Sequence, residues 1–427
     1  MEELQPFFSV GYISLAMEFD LQRLVIFLSV FTVILLIGYS YATSRLIAPF
    51  ELGTFQEVSL WIGVVFLVLL TPSAYLLSLF FRETHWQKFW AYSAFTTLGF
   101  ATILVSFVVF KDLGNLVWKG VVYLSDLLQP NSISVASAET EALLGSEKFG
   151  RADFLARFSS FALLGIAGGL TAFGFYQAKK TPTIKQVRIK VKDLPDGLDG
   201  FKIVQLSDIH IGPTIKGKFL EGVVSKTNSL QPDLVAITGD LVDGTVGMLK
   251  HHVSPLKNLE SKHGTFFVTG NHEYYSGVIA WIRELEDLGI NVLLNQNKLI
   301  DHNGAKIAVA GVTDYKAHTV IPGHRTDPKQ ASLGTEDAHY KVLLAHQPNS
   351  IFEAAKVGYD LQLSGHTHGG QYFPGNLFIH LFQKFVAGLS KWEDTQLYVS
   401  RGTGYWGPPL RIGAPSEITL LVLEKQS

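Results

Sequence analysis

Two patterns of hydrophobic and polar positions divide the chain near residue 180. In the first part, four stretches carry no charged side chain: Leu24 to Ser44, Val58 to Phe81, Phe89 to Phe110 and Phe158 to Ala178. Each is bracketed by charge, as by Arg23 and Arg45 around the first and Arg157 and Lys179 around the last. Each can cross about 30 Å of hydrocarbon, which takes roughly 20 helical residues. Four such helices buried in a water-soluble domain would leave this part little polar surface, so the pattern predicts a bundle of four transmembrane helices, residues 1–180. Between the third and fourth spans, Lys111 to Arg157 reads as a loop containing the polar run SISVASAETEALLGSE.

From Thr181 the period changes. The alternating VRIKVKDL opens a second domain, residues 181–427, with strand-length apolar runs at Lys202 to Leu206, Leu234 to Thr238, Thr265 to Thr269, Asn291 to Leu294, Lys306 to Ala310, Lys341 to Ala345, Leu361 to Ser364, Gln396 to Ser400 and Glu417 to Leu423. Helical spacing appears at Val278 to Leu288 and Asn349 to Val357. Closely spaced strands with helices after only some of them predict an α/β domain of two packed sheets flanked by helices. A further apolar stripe, Leu377, Phe378, Leu381, Phe382, Phe385 and Val386, predicts an amphipathic helix over Asn376 to Leu389.

Charge sharpens this division. Residues 1–180 hold 11 Lys/Arg and 13 Asp/Glu, whereas the longer second part holds 24 of each, with no basic excess to neutralise a nucleic-acid backbone. No nucleic-acid partner is expected. The absence of cysteine excludes disulfides, thiolate metal sites and cysteine nucleophiles. Counted across the spans, nine Lys/Arg share a side with the second domain and six lie opposite, which favours a cytoplasmic second domain. Gly150-Arg151-Ala152-Asp153, which resembles an export signal lacking its second arginine, points the other way.

The chemistry is concentrated in five short blocks: Asp208 and His210, Asp240, Asn271-His272-Glu273, His346, and His366 and His368. Four of them follow strand-length runs, so the side chains collect at strand ends, where ligands bind in open α/β sheets. Asp208 and His210 are two apart, a spacing that puts both on one side of an extended chain, and His366 and His368 repeat it. Carboxylate, imidazole and amide donors without thiolate suit Mn, Fe, Zn or Co. If two divalent ions are held, one carboxylate must bridge them, and Asp240 stands in the middle of the order.

The pattern DxH, GD, GNHE, a later His and GHTH resembles the calcineurin-like metallophosphoesterase superfamily over about Lys202 to Gln371. The block SRGTGYWGPPLRIGAPSEITLLVL and the four spans look like its membrane-anchored bacterial branch, whose members include UDP-diacylglucosamine pyrophosphatases. The resemblance implies one metal on Asp208, His210, Asp240 and His368, and a second on Asp240, Asn271, His346 and His366. It implies that His272 contacts phosphate and assists the leaving group while Glu273 orients it, and that a hydroxide shared by the metals attacks phosphorus. The expected function is hydrolysis of a phosphodiester or pyrophosphate bond in a small molecule or lipid at the bilayer. Alternatives are a phosphoprotein phosphatase, or a transporter or receptor with a ligand-sensing domain, although no ionisable residue lies within the spans to mark a transport path. Arg411 is a candidate phosphate contact or a surface residue.

Overall fold

The computed structural model describes residues 9–80, 84–128 and 150–426. Its first elements are four long helices, α1 (Ser9–Ile47), α2 (Thr54–Phe80), α3 (His85–Leu128) and α4 (Arg151–Lys179). Each holds a stretch long and apolar enough to cross a membrane, with mean hydropathy between 1.6 and 2.3. The helix that begins at His85 continues through Lys111 to Leu128, where a loop was expected. Charge at Lys111 ends an apolar span without ending a helix, because lysine and aspartate are compatible with helical backbone. Asp112 there accepts hydrogen bonds from Tyr41 and Arg45, each at 2.6 Å. The expected polar run SISVASAETEALLGSE begins at Ser132 and ends at Glu147, outside the described residues.

By packing, the described residues form two units: 9–80 with 97–128 and 150–169, and 84–96 with 170–426. In the first, Leu35, Tyr39, Val64, Val68 and Ala101 make a small core. The second joins two helix ends to an α/β domain of twelve strands. These are β1 (Thr183–Val191), β2 (Lys202–Leu206), β3 (Leu234–Ile237), β4 (Thr265–Phe267), β5 (Asn291–Val292), β6 (Gln296–His302), β7 (Ala305–Gly311), β8 (Tyr340–Leu344), β9 (Leu361–Ser364), β10 (Gly388–Trp392), β11 (Thr395–Val399) and β12 (Glu417–Lys425). The helices among them are α5 (Gly217–Ser229), α6 (Val246–Val253), α7 (Asn271–Tyr275), α8 (Val278–Asp287), α9 (Pro328–Ala331), α10 (Ile351–Val357) and α11 (Gly375–Phe382).

Two six-stranded sheets result, ordered β1-β12-β2-β3-β4-β5 and β10-β11-β9-β8-β7-β6. The central strands are parallel, and β2 pairs antiparallel with β12. Alternation along β3 explains the layering. Leu234 and Ala236 face the core shared by both sheets with Ile307, Val342 and Leu361, while Val235 and Ile237 face a second core with Leu220, Trp281 and Leu285 from the covering helices. This is the expected two-sheet α/β fold. The strands β6 and β10 were not expected, because both are sheet edges with mostly solvent-facing side chains and lack an apolar alternation. The Asn303-Gly304 turn joining β6 to β7 was the available signal.

Candidate metal centre

The five blocks converge where the parallel strands of both sheets end. Asp208 and His210 follow β2, Asp240 follows β3, Asn271 to Glu273 follow β4, His346 follows β8, and His366 and His368 follow β9. The convergence does not come from extended backbone. Asp208, His210, Asp240, His366 and His368 all adopt the left-handed region, with φ of 52°, 54°, 52°, 71° and 52°. For residues other than glycine this conformation is uncommon and concentrates at functional sites. The paired side chains therefore meet through sharp reversals at each alternate residue, not through the pleat. Two glycines permit the crowding: a Cβ on Gly270 would collide with the Asp240 carboxylate, and one on Gly365 with Ser207 and Asp208.

Donor atoms face one another closely. Asp208, His210 and His368 form one buried cluster, and the buried Asp240 and His346 form another with the partly buried His366, with Asp240 also grouped with His210 and His272. The Asp240 carboxylate lies 3.2 Å from His346 Nε2, 3.8 Å from His210 Nε2 and 3.9 Å from His272 Nε2. Ring nitrogens approach each other at 3.0 Å between His210 and His368 and at 3.2 Å between His366 and His346. The side-chain oxygen of Asn271 is buried with no hydrogen-bond partner. Facing ring nitrogens, carboxylates and an unpaired amide oxygen fit divalent cations, which take imidazole and oxygen donors and would satisfy all of them.

Surrounding groups fix the donors. His346 Nδ1 donates to the Thr238 carbonyl at 2.8 Å, which fixes the ring with its Nε2 toward the site. Burial opposes charge on His346, but the adjacent Asp240 carboxylate prevails and raises the ring well above the usual histidine range. The backbone N–H of His366 donates to Asp208 at 2.9 Å, tying the β9 loop to the β2 loop. Burial, assisted by the Arg411 guanidinium, holds His368 well below its usual value.

Two residues differ from their sequence reading, and a third had none. The carboxyl facing His272 belongs to Asp243, whose Oδ1 lies 2.6 Å from His272 Nδ1 and 3.1 Å from His210 Nδ1. Sequence reasoning missed Asp243 because an aspartate before glycine, in Leu241-Val242-Asp243-Gly244, also suits an ordinary turn. Glu273 instead accepts the backbone N–H groups of Gly270, Leu241 and Asp240 at 2.6, 2.8 and 3.0 Å, bracing the loop that carries Asp240. Burial and the charge of Asp240 push Glu273 up to about 7. Arg411 is fully buried and donates to the carbonyls of Arg401, His368, Gly404 and Ala414 at 2.7, 3.0, 3.1 and 3.2 Å, so it is neither a surface residue nor free to bind phosphate. His272 stays more open than Asp240 or His346, with 17% of its side chain exposed. Burial opposes its protonation, yet Asp240 and Asp243 raise it to about 9.

The sequence profile of the family described as calcineurin-like phosphoesterase matches residues 201–370, the span holding all five blocks. A zebrafish (Danio rerio) protein named "Transmembrane protein with metallophosphoesterase domain" is 35% identical over 86% of this chain and 80% of its own length. The chain belongs to the calcineurin-like phosphoesterase family. A Bos taurus protein of the same name is 42% identical over 60% of each chain, so this protein spans less than two thirds of that relative. An "Uncharacterized metallophosphoesterase" of Helicobacter pylori is 41% identical over 58% of this chain and 66% of its own. With four apolar helices and relatives named as transmembrane, this calcineurin-like phosphoesterase is a membrane protein.

Proposed function

We propose that the protein is a membrane-bound phosphohydrolase whose site holds two divalent cations and cleaves a phosphodiester or pyrophosphate bond in a phosphorylated small molecule or lipid. The observation that carries this reading is the position of the Asp240 carboxylate, shared between the donors on its two sides. One ion would take Asp208, His210, Asp240 and His368, and the other Asp240, Asn271, His346 and His366. Bound there, Mn, Fe, Zn or Co would supply Lewis acidity toward a phosphoryl group and make water more acidic.

The protein's own groups supply the rest. His272, held by Asp243 at 2.6 Å, points its Nε2 toward the site from the more open side. As a protonated imidazole it can donate to the leaving oxygen as the phosphorus–oxygen bond breaks. Water contributes its oxygen to phosphorus and its protons to the products, so the bond cleaved and the bond formed balance without a further reactant. Glu273 contributes by keeping the Asp240 loop in its left-handed turn. Nine positive residues against six support a cytoplasmic domain, which protease digestion of sealed vesicles of each orientation checks, and the likeness to bacterial relatives supports a bacterial inner membrane.

The test is a hydrolysis panel on the purified full chain, stripped by chelator and then resupplied with Mn, Fe, Zn or Co. Lipid pyrophosphates, glycerophosphodiesters, aryl phosphodiesters and phosphopeptides would be compared. Metal-dependent cleavage of a diester or pyrophosphate supports the reading. Cleavage confined to phosphopeptides contradicts it.

A further inference from the structure

The helix α11 leaves its apolar side chains outside. The amphipathic helix expected over Asn376 to Leu389 stops at Phe382. Beyond it, Phe385 packs with Phe352 and Trp392, with ring centroids 6.3 and 6.4 Å apart. On the helix itself Leu377, Phe378, Leu381 and Phe382 are 55%, 45%, 75% and 78% exposed, and Trp406 nearby in the chain's site loops is 55% exposed. An outward apolar face of this kind on a folded domain marks an interaction surface.

Contacts within the same unit indicate what covers it. The last turns of α4 belong to this unit, and Gly174 lies in the uncharged run that ends at Ala178, about 7 Å along the helix from Lys179 at 1.5 Å per residue. The Gly174 carbonyl accepts the backbone N–H of Arg411 at 3.0 Å, and a Cβ on Gly174 would lie 2.9 Å from Ile412. The loop holding Arg411 and Ile412 therefore packs on a membrane-spanning segment within a few residues of its charged end. That loop also holds α11: Ile412 N–H donates to the Gln371 carbonyl at 3.0 Å, and Asn376 Nδ2 to the Ile412 carbonyl at 3.5 Å. A second contact agrees, since Tyr92, in the first turns of α3, donates to the carbonyl of Thr214 just beyond the Asp208 loop. The edge of the domain that carries the donor side chains is thus the edge tied to helices that enter the bilayer.

We propose that α11, through Leu377, Phe378, Leu381 and Phe382, together with Trp406, lies in the headgroup and acyl boundary of the bilayer, so that the site opens toward phosphorylated membrane lipids. The aromatic and aliphatic mixture suits that boundary. Trp406 also connects it to the reaction centre, with its ring 5.7 Å from that of His272. The substrate class rests on the proposed phosphohydrolase activity, whereas the bilayer contact does not.

The protein has no cysteine, so single-cysteine variants can be labelled cleanly in the full chain. Phe382→Cys would carry an environment-sensitive fluorophore, with Asp337→Cys as reference because Asp337 is exposed at the opposite end of β8 from His346. Both would be reconstituted in phosphatidylethanolamine and phosphatidylglycerol bilayers containing brominated acyl chains. The expected result is quenching by the brominated lipid at position 382 and none at 337. Quenching at 382 only by aqueous iodide overturns the proposal. Separately, Phe382→Asp should raise KM for a long-chain lipid pyrophosphate in the bilayer by roughly 10-fold while a short aryl phosphodiester is cleaved as before. Equal slowing of both substrates would mean that the face serves packing. Lipid quenching without any phosphoester cleavage would remove the proposed activity and leave the bilayer surface standing. Cleavage without quenching would do the reverse.

Discussion

The apolar helices and the α/β domain use the same kinds of side chain in opposite ways. In α1, Ile26, Phe27, Ile34 and Ile37 are turned outward, whereas in β2 and β3 every side chain from Ile203 to Leu206 and from Leu234 to Ile237 is buried. The helices are matched to an apolar surrounding. The domain turns its apolar side chains inward and gathers the donor side chains at one edge, where Glu273 and Arg411 hold the left-handed residues Asp240 and His368 and the Thr238 carbonyl holds His346. Chemistry therefore depends on a few fixed loops, while membrane residence depends on length and composition.

Substitutions at that edge test the contrast most severely. Asp240→Asn should abolish turnover and metal retention together, since a neutral amide bridges two cations poorly. Metal analysis and hydrolysis assays on the same preparation check this, and full turnover with undiminished metal would refute the bridging role. His272→Ala should keep its metals and lose roughly 100-fold or more in kcat, with a smaller loss for an activated aryl leaving group. Equal losses for aryl and alkyl diesters would argue against proton donation. Asp243→Asn should cost about 10- to 100-fold, because it loosens both His210 and His272. A kcat within twofold of the parent would make Asp243 a bystander.

The smallest expected effect lies where the two regions touch the same loop. Gly174→Leu should destabilise the protein by about 1–3 kcal/mol through overpacking against Ile412, read as a lowered unfolding temperature in detergent. An unchanged midpoint would show that α4 does not brace the loop. A fragment starting at Thr181 asks the same question of the proposed division at residue 180. It keeps every candidate ligand but loses Tyr92 and Gly174, so we expect it to bind metal with lower stability than the full chain.

The parts legible in sequence were those with strong local periodicity. Uncharged runs of helical length marked the four apolar helices, and buried strands such as β3 and β8 stood out because both faces are apolar. The edge strands β6 and β10 were hidden by their polar outward faces. The convergence of the five blocks could be anticipated from strand ends, but the left-handed turns at Asp208 and His210 could not, since a spacing of two reads as pleated. Asp243 and Arg411 were illegible for a different reason. Their roles consist of contacts with residues far along the chain, as between Arg411 and His368, and no local pattern announces them.

The central claim is that the buried donors around Asp240 hold two divalent ions on which hydrolysis depends. Its most direct test is metal content per chain, measured by elemental mass spectrometry on the purified protein alongside hydrolysis of an aryl phosphodiester as metal is removed and restored. The account predicts two equivalents at saturation, activity that vanishes on stripping and its return as both equivalents are regained. Undiminished cleavage by protein stripped of metal would contradict it.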